Sequence, residues 1–215
     1  MASPIEEQFV RDNLVGKAVF EFGCAPGKFA TELSSVGYNV FGVDLYAPEF
    51  TDKYTFLRCD FMDVDIGKKF DNIIAVSSVE HCGIETEDFR KGDASQINYH
   101  TMVADKLSDM VTEDNQLIVT VPFGYENVYY VDKDGHNGTR SEIPNPVWGY
   151  RTFNILDIQR LFPKLTLVKT VPYAKIGDDY FNINSWKRVG LMSFSAYDNK
   201  NRAVLCNVFK LRKGE

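Results

Sequence analysis

The sequence has little that would tie it to a membrane, to the cell exterior or to a nucleic-acid backbone. No apolar run among its 215 residues approaches the roughly 20 needed to cross a bilayer as a helix. The opening MASPIEEQFV lacks the basic stretch and apolar segment of a secretory signal, so a cytoplasmic setting is expected. Only four cysteines occur: Cys24, Cys59, Cys82 and Cys206. They are dispersed, form no CxxC pair, and read as reduced thiols rather than a disulfide framework or a zinc site. Positive charge is in deficit. The 24 Lys and Arg against 30 Asp and Glu leave a formal net charge of −6, which argues against the broad basic field of a nucleic-acid-binding domain. Internal repeats, low-complexity tracts and linkers are also missing.

What is there suits one globular domain over residues 1–215. Hydrophobic residues make up 44% and charged ones 25%, an ordinary soluble composition, and a chain of this length can bury a core without metal or disulfide staples. Ser3-Pro4-Ile5-Glu6 supplies a helix start, with a hydroxyl cap, a proline at the first position and a glutamate three residues on. A buried strand follows at Ala18–Phe22, then a helix over 27–36 with Phe29, Leu33 and Val36 on one face. Further strands are expected at Asn39–Val43, Tyr54–Arg58, Phe70–Val76, Leu117–Val121, Leu165–Val171 and Ala203–Leu211. Helices are expected over Gln96–Thr112 and after Asn154, where Ile155, Ile158, Leu161 and Phe162 form the apolar stripe. This alternation predicts an α/β fold: a doubly wound, mostly parallel seven-stranded sheet with helices on both faces. The last two strands are free to pair antiparallel at one edge. Residues 123–151 read as a loop insertion, long for a connection but too aromatic for disorder. Phe123, Tyr125, Tyr129, Tyr130, Trp148 and Tyr150 would make it a substrate lid, and Tyr180, Phe181 and Trp186 form a second aromatic group.

Chemistry concentrates at Glu21-Phe22-Gly23-Cys24-Ala25-Pro26-Gly27, between the first strand and its helix. Gly23 allows a tight turn, and the small Ala25 and Gly27 let a ligand approach backbone N–H groups at the helix start. Asp44 ends the next strand 17 residues after Gly27, where a carboxylate can accept hydrogen bonds from a ribose diol. The pairing points to a nucleoside-containing cofactor at the carboxyl ends of parallel strands. The full dinucleotide fingerprint is absent, and Glu21 disfavours a pyrophosphate while suiting a cationic group.

This E-x-G-x-A-x-G segment resembles motif I of the class I S-adenosylmethionine-dependent methyltransferases, with Ala25 in place of the middle glycine. Asp44 resembles their ribose-binding acid. Arg58-Cys59-Asp60-Phe61 resembles the stretch flanking adenine, and the run from Phe70 to His81 resembles motif IV of small-molecule members, a strand followed by Glu-His. The resemblance covers about residues 15–122. It implies S-adenosyl-L-methionine as cofactor, held by Glu21, Gly23, Cys24, Ala25, Gly27, Asp44, Leu45, Asp60, Phe61 and Ser77. It implies catalysis by His81 with Glu80; no metal is expected, because no residue spacing marks a metal site.

His81 is the first candidate base, with His100 and His136 as alternatives. Asp93, Glu80, His81 and Cys82 cluster in sequence without a metal-ligand spacing, and Asp132-Lys133-Asp134-Gly135 reads as a turn rather than a calcium loop. Cys24-Ala25-Pro26-Gly27 echoes RNA ribose methyltransferases, but Ser77-Ser78 stands where their catalytic aspartate would fall. The expected activity is therefore O-methylation of a small-molecule hydroxyl of sugar or natural-product type, with no nucleic-acid or membrane partner. An RNA 2′-O-methyltransferase-like enzyme, a non-catalytic cofactor-binding module and a NAD-dependent oxidoreductase stay open as alternatives.

Overall fold

A computed structural model describes residues 2–46, 48, 53–84, 98–124, 127–176, 179–190 and 203–212. Asp93, Gln96 and Tyr125 lie outside these residues. The chain opens with α1 (Pro4–Asn13), which has the expected capping box: Ser3 takes the backbone of Glu6, and the Glu6 carboxylate reaches back to Ser3. Then come β1 (Ala18–Phe22), α2 (Lys28–Ser35), β2 (Asn39–Asp44), β3 (Thr55–Arg58) and β4 (Asn72–Val76). The second half holds α3 (Tyr99–Asp109), β5 (Gln116–Pro122), β6 (Asn127–Val131), β7 (Asn137–Gly138), β8 (Trp148–Thr152), α4 (Ile155–Leu161), β9 (Leu165–Lys175), β10 (Trp186–Arg188) and β11 (Ala203–Leu211).

The main sheet runs β10-β9-β11-β5-β4-β1-β2-β3. The five strands from β5 to β3 are parallel, while β11 lies antiparallel between β5 and β9. The sheet therefore has eight strands rather than the expected seven. The extra one is β10, which pairs antiparallel with the end of β9, Trp186 opposite Lys175. Three residues with two exposed basic side chains carry too little alternation to register as a strand from sequence.

Side-chain alternation assigns the two faces. Phe20, Ile73, Ala75, Leu117, Val119 and Leu205 bury against α3 and α4 through Tyr99, Val103, Leu107, Ile158 and Phe162. Val19, Val40, Ile74, Ile118 and Cys206 bury against α1 and α2 through Phe9, Val10, Phe29 and Leu33. Both faces are thus covered, as a parallel sheet requires. The four cysteines are unpaired. Among the described residues no helix is long and apolar enough to cross a membrane.

The 123–151 segment is not an open loop. β6, β7 and β8 form a separate three-stranded antiparallel sheet, with Asn127 opposite Thr152 and Val131 opposite Trp148. Its two ends meet. Phe123 bridges Phe153, Gly124 N–H donates to the Phe153 carbonyl at 3.2 Å, and Phe153 N–H donates to that of Pro122 at 3.0 Å.

Candidate active site

The carboxyl ends of β1, β2 and β4 open into a cleft, the usual ligand position of such sheets. It is lined by Gly23, Ala25, Asp44, Leu45, Phe61, Ser77 and His81, all singled out from sequence, and also by Phe22, Val43, Tyr46, Cys59, Ser78, Cys82 and Tyr99. A second cavity shares Gly23, Ala25 and Ser77 with the first and adds Glu7, Glu21, Cys24, Gly27, Lys28 and Phe181.

The turn after β1 is set by glycine. Gly23 has φ +71°, and a Cβ there would sit 2.4 Å from that of Ser78. Its N–H donates to the Val43 carbonyl at 2.9 Å. Gly27, at φ +89°, caps α2 in the left-handed region that glycine adopts freely. Cys24 is buried; its thiol packs over Gly42, where an added Cβ would come within 2.6 Å. Burial raises its pKa, so it remains a thiol.

Asp44 is shaped by the same turn. Its Oδ2 accepts the Ala25 N–H and its Oδ1 the Tyr46 N–H, both at 2.9 Å. Burial raises its pKa and these N–H groups oppose the rise. A carboxylate offers about four acceptor positions, so capacity remains on the cleft side. Asp60 is partly spoken for: its Oδ1 takes the Met62 N–H and the Tyr99 hydroxyl, making it the cap of a short 3-10 turn at Phe61–Asp63. Tyr99, near the start of α3, reaches the site through that hydroxyl.

Glu21 occupies β1 on the face of α1 and α2 and is 4% exposed. Its Oε2 is buried without a hydrogen-bond partner. Burial, reinforced by the Glu7 and Asp44 carboxylates, raises its pKa to about 8. Such a group is satisfied by a cationic donor.

Beyond β4 the chain turns sharply. Ser77 has φ +46°, a region non-glycine residues seldom occupy, and its N–H donates to Thr120. Its hydroxyl donates to Glu6 of α1 at 2.6 Å, and Ser78 donates to the Phe22 carbonyl at 3.1 Å. The following 3-10 turn, Val79–His81, places Glu80 inside and His81 in the cleft wall. Glu80 is 1% exposed, its Oε2 lacks a partner, and burial raises its pKa well above the ordinary value. His81 Nδ1 lies 2.6 Å from the Gly149 carbonyl oxygen. A carbonyl only accepts, so Nδ1 carries the proton and Nε2 keeps its lone pair. Burial lowers the His81 pKa to about 4, against the opposing pull of Gly149.

The other two histidines are not in the cleft lining. His100 sits on α3, with burial lowering its pKa to about 4. His136 sits on the exposed β6–β7 turn, 2.9 Å from Asp132. Asp132, Asp134 and His136 converge there within 4.8 Å. Asp132 accepts the N–H groups of Asp134 and His136, which makes the expected turn. Phe181, which the sequence places only in the second aromatic group, lines the cavity beside the glycine turn.

No family model matches this sequence, and no curated protein does. Solved structures do. The chain is similar to the 1,6-didemethyltoxoflavin-N1-methyltransferase of Burkholderia thailandensis, solved with bound 1,6-didemethyltoxoflavin and S-adenosylhomocysteine. The TM-score is 0.60 at 14% identity, over 98% of this chain and 78% of that one. It is similar to the N-methyltransferase NodS of Bradyrhizobium japonicum in complex with S-adenosylhomocysteine (TM-score 0.56, 14% identity, 98% and 89% covered). It is also similar to an S-adenosylmethionine-dependent methyltransferase of Clostridium acetobutylicum (TM-score 0.55, 16% identity, 97% and 89% covered). The strand order, the glycine turn after β1 and these superpositions agree: the chain has the fold of the S-adenosylmethionine-dependent methyltransferases.

Proposed function

We propose that this chain is an S-adenosylmethionine-dependent methyltransferase that methylates a hydroxyl group of a small molecule. The observation that carries the reading is a single cleft lined by both Asp44 and His81, with His81 Nδ1 held by the Gly149 carbonyl. The residues fit the cofactor. Glu21, buried with an unpartnered oxygen, suits the ammonium of an amino-acid tail. Gly23, Ala25 and Gly27 leave room for its chain beside Cys24 and Ser77, and Lys28 lines the same cavity for a carboxylate. Asp44 suits the ribose diol, Leu45 and Phe61 the faces of adenine, and the free oxygen of Asp60 its exocyclic amine.

When bound, S-adenosylmethionine supplies a methyl group on a positively charged sulfur, a centre open to in-line displacement. The protein's share is alignment and exclusion of water. Nε2 of His81, held as an acceptor by the Gly149 bond, takes the hydroxyl proton. Glu80 Oε1 lies 3.9 Å from that nitrogen, and because burial raises the pKa of its carboxyl it flanks the imidazole as a polar neighbour rather than as a counter-charge. The sheet of β6, β7 and β8 acts as the lid over the acceptor, since its β8 backbone is what holds His81. The toxoflavin and NodS enzymes are named as N-methyltransferases, so amines belong in the test beside hydroxyl compounds.

The test is titration calorimetry with S-adenosylmethionine and S-adenosylhomocysteine on wild type and Asp44→Ala, followed by transfer of a labelled methyl to hydroxyl and amine acceptors. Micromolar binding lost in the variant, with transfer to hydroxyls, supports the reading. Transfer to amines alone corrects the acceptor atom, and absence of binding overturns the assignment.

A further inference from the structure

The small sheet carries a run of aromatic rings that ends beside the cleft. Tyr129 and Tyr150, opposite each other across β6 and β8, stack with centroids 5.6 Å apart and planes 26° from parallel. Trp148, two residues along β8 on the same face, contacts Tyr150 at 5.6 Å and 33°. It meets the His81 ring edge-on at 5.8 Å. Tyr129 and Tyr150 are buried, whereas Trp148 is 38% exposed. The backbone under the exposed ring is fixed, because Trp148 pairs with Val131 and Val147 N–H donates to Val131 at 2.8 Å. An exposed indole on a rigid strand, backed by a ring and touching the candidate base, offers a contact surface at low entropic cost. The other tryptophan, Trp186, is buried: it packs edge-on against Tyr180, and its indole N–H donates to the Tyr180 carbonyl at 3.1 Å.

We propose that Trp148 is the acceptor platform, and that the acceptor is a planar aromatic or heteroaromatic ring bearing a hydroxyl, which extends the Tyr129–Tyr150–Trp148 run and presents its oxygen beside His81. This rests on the methyltransferase reading and narrows its substrate class. In the reaction the oxygen–methyl bond forms as the methyl–sulfur bond breaks. The electron pair of that broken bond returns to sulfur, and the hydroxyl proton passes to Nε2 of His81. Acidity favours a ring hydroxyl. A phenol ionises near pH 10, far below a saturated alcohol, and a neutral imidazole of low basicity deprotonates the first far more readily.

Two measurements test it. The first follows the Trp148 and Trp186 indole N–H signals by NMR while phenol, catechol or hydroxyquinoline is added, with cyclohexanol and methyl glucoside as saturated counterparts. A shift of the Trp148 signal with the ring compounds alone is expected. No shift, or an equal shift with the saturated alcohols, overturns the platform whether or not S-adenosylhomocysteine binds. The second compares labelled-methyl transfer by wild type, Trp148→Ala and Trp148→Phe. The alanine variant is expected to raise KM for a ring acceptor about tenfold, to leave kcat and S-adenosylhomocysteine affinity within about threefold, and to be largely rescued by phenylalanine. An unchanged KM, or better turnover of saturated alcohols, overturns the proposal while leaving the methyltransferase reading intact. Failure of S-adenosylhomocysteine to bind removes that reading and is scored separately by calorimetry.

Discussion

The hydroxyl of Ser77, just past β4, donates to the carboxylate of Glu6 in α1 over 2.6 Å. It joins the first helix of the chain to the strand end that floors the cleft. Glu6 is fully buried, and its other oxygen holds the Ser3 N–H and hydroxyl at 2.7 and 2.8 Å. Removing the Ser77 donor leaves a buried carboxylate oxygen short of a partner, at a cost of about 1–3 kcal/mol. Ser77→Ala should lower the urea midpoint accordingly and weaken S-adenosylhomocysteine binding, because Ser77 lines both cavities. An unchanged midpoint would show that the other ties of α1, its apolar face and the bonds of Arg11 and Asn13 to Glu32, Gln116 and Lys169, suffice to hold it.

His81 should leave its mark on the pH profile. With its pKa lowered to about 4 by burial, the acid limb of kcat belongs near pH 4, and the rate should be flat from about 6 to 8. His81→Gln should cut kcat by roughly 10²–10⁴-fold while changing cofactor affinity little. Stability follows the same shift. The unfolded chain takes up a proton near the ordinary value of 6.5, and the folded one excludes it until about 4. Stability contributed by neutral His81 is therefore full above 6.5 and lost as pH falls through that window. Denaturant titrations of wild type and variant across pH 4–7 should diverge on the acid side.

Glu21 works in the opposite direction. Its pKa is raised from 4.5 to about 8, so the folded chain keeps a proton the unfolded chain has released. That stability is present below 4.5 and is lost as pH rises to about 8, a change on the order of several kcal/mol. Glu21→Gln should match wild type in Tm at pH 5, exceed it at pH 8, and bind S-adenosylhomocysteine roughly 10–100-fold more weakly. A ligand ammonium drawn to Glu21 should also release a proton, seen as a buffer-dependent binding enthalpy. Equal enthalpies in two buffers near pH 7 would count against this contact.

Gly23 should resist any side chain. At φ +71° an alanine is strained by about 1–2 kcal/mol, and its Cβ would stand 2.4 Å from that of Ser78. Gly23→Ala should abolish cofactor binding and lower Tm. Gly23→Ala combined with Ser78→Gly should recover the part due to the clash and keep the part due to φ.

Much of this was legible because periodicity and chemistry coincide in the first half. The apolar run of β1 predicts the buried Val19 and Phe20. The glycine turn and Asp44 announce a ligand before any contact is known. The second half was less readable for physical reasons. β7 has two residues and β10 three, too few for a period to show. The bond from Gly149 to His81 spans 68 positions and involves a main-chain carbonyl, which no residue type encodes. Phe181 lies between β9 and β10, far along the chain from the glycine turn whose cavity it lines.

The stem of the small sheet has an evolutionary corollary. The excursion after β5 departs and returns at one point, where Phe123 and Phe153 bridge. Everything between those residues can be exchanged as a cassette while the main sheet and its glycine turn keep their sequence. What the cassette must bring back includes the acceptor oxygen with which Gly149 holds His81 and the Arg151 guanidinium that donates to the Cys82 carbonyl. Lineages sharing this scaffold would then be free to change what they recognise far faster than what they fold into.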